Sequence, residues 1–155
     1  MSGRTDQASR LINAKADEVY SAFLDPQAMM RWLPPSGMTG KLLEFEPHEG
    51  GRYRIELTYQ QPPSSGGKTD GRTDVSQGRF VELVPGERIK QTALFDSDDP
   101  AFAGEMILTW LFHETARGTK VTVVAENVPS GITQEDHDDG LRSSLENLAH
   151  LVEHH

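Results

Sequence analysis

Apolar and polar residues alternate strictly from Arg52 to Tyr59. Tyr53, Ile55, Leu57 and Tyr59 lie on one side, and Arg52, Arg54, Glu56 and Thr58 on the other. A period of two predicts a strand with one face buried and one wet, as in an antiparallel sheet covered on one side. Further strand-like runs occupy residues 8–12, 41–46, 77–84, 88–95, 105–112 and 119–126. Turn signals punctuate them. Gly50-Gly51 tolerates positive backbone angles, while Pro85-Gly86 and Arg117-Gly118 read as hairpin turns. Residues 61–76, QPPSSGGKTDGRTDVS, are rich in Pro, Gly and Ser and predict a long, mobile loop. Residues 96–104 predict a second loop.

The helical period appears three times. Val19, Tyr20 and Phe23 form a stripe within residues 16–24, which Asp25-Pro26 ends because the residue before proline is pushed out of the helical region. Pro26 suits the first turn of a second short helix bearing Met29, Met30 and Trp32, and Pro34-Pro35 and Gly37 stop it. Leu141, Leu145, Leu148 and Val152 then mark one side of a long helix over residues 133–152. Thr133 and Asp136 resemble a capping box, and the neighbouring acids suit the positive end of the helix dipole. At ~1.5 Å per residue such a helix is about 30 Å long, enough to cross a sheet. The order is strand, two helices, six strands and a long helix, an α+β pattern.

Five segments carry a likeness in the right order. ADEVYSAFLDPQAMMRWL (residues 16–33) resembles the opening of the activator of heat-shock-protein-90 ATPase homologue family, in the START-like (SRPBCC) helix-grip superfamily. EGGRYRIEL (49–57), GRFVELVPGERI (78–89), GTKVTVVAE (118–126) and GLRSSLENL (140–148) resemble that family's later strands and C-terminal helix. The family usually has tryptophan where Tyr20 and Leu141 stand, and residues 61–67 look like an insertion. The resemblance implies a curved antiparallel sheet wrapped around the long helix, with an apolar cavity between them. It implies an activity far less well, since relatives bind lipids or hormones, cyclise polyketides or assist a chaperone.

At 155 residues the chain is expected to form a single domain spanning residues 1–155. The absence of cysteine excludes disulfides, thiolate metal sites and cysteine nucleophiles, and fits a cytoplasmic address. No stretch approaches the ~20 apolar residues of a membrane span. A formal charge of −9 argues against a nucleic-acid partner, because phosphate binding needs concentrated Lys and Arg. The acidic runs at residues 96–99 and 135–139 read as solvated loop and helix start.

The alternation places Tyr53, Ile55 and Leu57 on the inner face, with Leu108 and Trp110 from the strand over residues 105–112. Leu141 and Leu145 face them from the long helix, and Trp32 from the short ones. Gln91 is a candidate polar group among these, and Phe80 competes with Val81 and Leu83 for the inward position. The same set suits either a packed core or the walls of a ligand cavity. His150 and His154 have the spacing of two ligands on one helix face, but no third ligand completes a metal set. Glu44, Glu56 and Glu82 alternate outward with basic residues, and Glu105, at the mouth of the strand to Phe112, is the one carboxylate left as a candidate. There is no nucleophile elbow, phosphate loop or dinucleotide fingerprint. The expectation is reversible binding of a small apolar or amphipathic ligand, without metal or cofactor. An enzyme using the cavity for hydrolysis or cyclisation is the alternative, as is an interaction module with a chaperone partner.

Overall fold

The alternation around Tyr53 becomes a strand, β3 (Arg52–Tyr59), paired on one side with β2 (Met38–Phe45) and on the other with β4 (Thr73–Val84). The computed structural model describes residues 4–60 and 73–153. The remaining strands are β1 (Arg4–Ile12), β5 (Arg88–Phe95), β6 (Met106–Thr115) and β7 (Gly118–Val128). All pairings are antiparallel and form a seven-stranded sheet in the order β1-β7-β6-β5-β4-β3-β2. Helices α1 (Ala16–Leu24) and α2 (Pro26–Trp32) connect one edge strand to the other, and α3 (Gln134–Glu153) closes the fold.

Local chemistry accounts for the helix limits. Asp25 caps α2, its Oδ1 accepting from the backbone N–H groups of Gln27 (3.0 Å) and Ala28 (3.4 Å), and Pro26 takes the first turn where its missing donor costs nothing. Thr133 Oγ1 accepts from the Asp136 N–H at 3.1 Å to start α3. Two polar contacts hold α3 to the segment after α2. Ser144 Oγ donates to the Leu33 carbonyl at 2.7 Å, and Asn147 Nδ2 to the Pro34 carbonyl at 3.0 Å.

Sheet curvature has identifiable sources. Register shifts occur between Arg4 and Asp6, Leu42 and Glu44, and Phe80 and Glu82, and such bulges bend a strand and increase its twist. Gly78 adds a kink. A β-carbon there would lie 1.9 Å from the Thr92 carbonyl oxygen, so only glycine permits this approach of β4 to β5. Tyr53 stands opposite Gly78 in the β3–β4 register, and its hydroxyl donates to that same Thr92 carbonyl. The ring fills the place the glycine leaves bare.

An aromatic cluster anchors the helices to the sheet. The Phe23 ring lies 4.6 Å from Trp32, 4.9 Å from Trp110 and 5.4 Å from Phe112 (centroid distances). The Trp32 indole N–H donates to the Ala22 carbonyl at 2.9 Å, so the buried ring leaves no polar group unpaired. Leu145, Leu148, Ala149 and Val152 of α3 join the same core.

The two loop expectations need adjustment. Residues 61–72 lie outside the described residues, but Thr73 to Ser76 belong to β4, paired with β3 from Thr58↔Thr73 onward. The Val75 carbonyl also accepts from the Asp96 N–H at 2.8 Å. Ladder hydrogen bonds on both sides override the weak strand propensity of Asp74 and Ser76. Residues 96–104 contain a short 3-10 turn, Pro100–Phe102, started by the Asp99 carboxylate. The outward Glu82 pairs with Arg88 at 2.6 Å, as expected of a wet, charged face.

Candidate functional site

The concave face of β3–β6, the first half of α3 and the segment after α2 line a half-open cavity of about 590 Å³. The alternation of β3 supplies Tyr53, Ile55, Leu57 and Tyr59, while β6 supplies Met106, Leu108 and Trp110. Leu141 closes it from α3, and Phe95, Phe102 and Ile132 lie toward its other end. From α3 come Asp136, His137, Asp139, Ser143 and Ser144, whereas the inner sheet wall is mostly apolar, its polar groups including Tyr53, Gln91, Tyr59 and Asp74.

Those inner polar groups are already paired. The Trp110 indole N–H donates to Gln91 Oε1 at 2.9 Å, both residues being buried. Burial drives the Tyr53 phenol well above its ordinary pKa; the Gln91 side chain works against this and the Glu105 charge adds to it. Tyr53 therefore stays a protonated donor, held by Thr92. Tyr59 donates to Asp74 Oδ2 at 3.0 Å, and burial first, then the Asp74 charge, raises its pKa as well.

Seven of the ten residues picked out by sequence line this cavity: Tyr53, Ile55, Leu57, Gln91, Leu108, Trp110 and Leu141. Trp32, Phe80 and Leu145 do not. Trp32 is wholly buried in the aromatic cluster, and Phe80 packs beneath Tyr53 and Phe45 at ring distances of 5.6 and 5.9 Å. Phe80 does win the inward position, Val81 being half exposed. Leu145 is core and borders a separate polar hollow between β1 and α3. Glu105 is exposed and outside the lining, although its backbone carbonyl accepts from Asn127 Nδ2 at 2.8 Å.

Sequence reasoning missed Asp74, Asp6 and His137. Asp6 is buried at the start of β1, where Arg4 Nε and Nη2 each donate to its carboxylate at 2.9 Å. His137 Nδ1, from the first turns of α3, lies 2.8 Å from the same carboxylate. Arg4 Nη2 also donates to the Ile132 carbonyl at 2.6 Å, so this clamp fixes the start of α3 at the cavity rim. The residues are 131 positions apart in sequence, and no local pattern announces the pairing.

Burial alone would raise the Asp6 pKa, but the hydrogen bonds and charges of Arg4 and His137 outweigh it and hold the carboxyl below its ordinary 3.8. A lowered folded-state pKa means stability that is present above the unfolded value and lost as pH falls through the folded one. Asp6→Asn is expected to cost about 2 kcal/mol at pH 7, within the range for hydrogen bonds to charged groups. Urea unfolding should show that difference shrinking below about pH 4 as the parent Asp6 is itself protonated. An equal difference at pH 7 and pH 3 would contradict the ionic role.

An antiparallel sheet curved about a long C-terminal helix, with two short helices after the first strand, defines the START-like helix-grip class. The chain belongs to the family described as Activator of Hsp90 ATPase homolog 1-like protein, which matches residues 13–153. A protein of Chromobacterium violaceum is 38% identical, with 96% of each chain covered and a TM-score of 0.84. Proteins of Rhodobacter sphaeroides and Mesorhizobium loti, each 20% identical, share the fold with TM-scores of 0.77 and 0.73. They cover 99% and 97% of this chain and 97% of their own. No curated protein matches. Among the described residues, no helix is long and apolar enough to cross a membrane.

Proposed function

We propose that this protein reversibly binds a small apolar or amphipathic molecule in the cavity between the sheet and α3. The cavity itself is the observation that carries the reading. Its volume, about 590 Å³, falls within the roughly 300–1,000 Å³ typical of small-molecule sites, and its wall is built on strands and a helix. The inner walls present Ile55, Leu57, Leu108, Trp110 and Leu141, while the inner polar side chains Tyr53 and Gln91 are already engaged. Burial of an apolar body there is favoured at ~25 cal/mol per Å² removed from water.

Native mass spectrometry of freshly purified protein tests this. The expected spectrum contains a complex with one retained small molecule, or forms one upon addition of a neutral apolar probe. Failure of a range of such probes to bind would end the reading. Stable capture of the heat-shock protein 90 chaperone without any small-molecule binding would favour the interaction-module alternative instead.

A further inference from the structure

We infer that the polar end of the ligand is a hydrogen-bond donor, a hydroxyl or ammonium group received by Nε2 of His137, and is not a carboxylate. This rests on the reading that the cavity takes an amphipathic molecule.

His137 lines the cavity, and its side chain is 13% exposed. Its Nδ1 faces the Asp6 carboxylate, which is 2% exposed and already doubly bonded by Arg4. An ionised carboxylate only accepts, so Nδ1 must carry the proton of this hydrogen bond. In the neutral ring the other nitrogen is then the acceptor, and Asp6 sets the tautomer. Nε2 has no hydrogen-bond partner among the described residues, yet no buried side-chain nitrogen or oxygen is left unpaired, so Nε2 is open to the cavity or to solvent. The arrangement is a fixed acceptor on a rigid support, with the Arg4 bond to Ile132 holding the support in place.

The surrounding charge points the same way. Asp136 and Asp139 also line the cavity, and among the described residues no lysine or arginine does. A carboxylate head would meet the exposed Asp136 and Asp139 carboxylates and an acceptor nitrogen, with no cation of the described lining to offset them. Deeper in, Tyr53 and Trp110 have spent their donors on Thr92 and Gln91. The apolar tail therefore lies toward Trp110, and the head lies at His137.

Three probes with one tail separate the possibilities: 1-decanol, decylamine and decanoate, titrated by calorimetry at pH 8. The parent is expected to bind the alcohol and the amine about tenfold or more tightly than decanoate, a ratio corresponding to 1.4 kcal/mol. His137→Asn places its amide near the position of Nδ1, keeping a donor for Asp6 while deleting Nε2. It should weaken alcohol binding about threefold to tenfold, the span of a single neutral hydrogen bond, and leave decanoate within about twofold. A thermal melt checks that the variant folds. If it does not, the ranking in the parent decides alone. Decanoate binding as tightly as the alcohol, or an equal loss for all three probes in the variant, would overturn the head-group assignment while leaving the cavity reading intact. Binding of none of the three by the parent would remove both.

Discussion

Leu141→Trp is expected to abolish binding of a neutral apolar probe such as N-phenyl-1-naphthylamine while leaving the fold intact. Leu141 is on the inward stripe of α3, is 9% exposed and lines the cavity opposite Leu108 and Trp110. Filling the cavity from within removes the volume a ligand would use, and affinity should fall by at least about tenfold, or 1.4 kcal/mol. Stability should hold or rise, because the added ring buries apolar surface without displacing packed neighbours. A closely packed site would respond in the opposite sense, since overpacking typically costs ~1–3 kcal/mol. Fluorescence titration and a thermal melt of the same sample read both quantities. A folded variant with unchanged probe affinity would remove Leu141 from the site.

Phe23→Ala should give a large loss of stability. Phe23 is 1% exposed and sits among Trp32, Trp110 and Phe112, with which it makes edge or tilted ring contacts. Truncating a buried phenylalanine costs roughly 3–5 kcal/mol through lost transfer energy and the void left behind. At ~2–4 °C per kcal/mol for a chain of this size, the melting temperature should drop by roughly 6–20 °C. Trp110 belongs both to this cluster and to the cavity wall, so its indole should gain freedom. Probe affinity is therefore expected to fall together with stability. A change below about 1 kcal/mol would show that the helices are held chiefly by α3.

The elements were legible wherever a local period was strong. The two-residue alternation of β3 placed Tyr53, Ile55 and Leu57 on the cavity face, and it extends to Tyr59, which lines the cavity as well. The stripe of α3 likewise put Leu141 inward. Local period could not distinguish a wall residue from a core residue, because both are apolar and inward. Trp32, Phe80 and Leu145 are separated from the cavity only by three-dimensional packing. Asp74 was hidden by its neighbours, since a strand start built from Thr, Asp, Val and Ser reads as loop until β3 and the Asp96 N–H are beside it. The Asp6–His137 pair was hidden by distance along the chain. A buried aspartate in a short polar strand carries no signal until the helix that covers it is in place.

The strand order has a consequence for how the protein is made. From β2 onward, every strand pairs with its sequence neighbour, so each hairpin can close soon after its second strand emerges. β1 alone must wait. Its partner is β7, and the aligned residues Ile12 and Thr119 are about a hundred positions apart, which at ~5–20 residues per second corresponds to roughly 5–20 s of synthesis. During that interval the apolar faces of α1 and α2, with Phe23 and Trp32, lack their α3 partner and the β1–β7 edge of the sheet. The cell's exposure to this sticky intermediate is set by translation speed, and slow codons placed before β7 should raise the aggregated fraction without altering the finished protein at all.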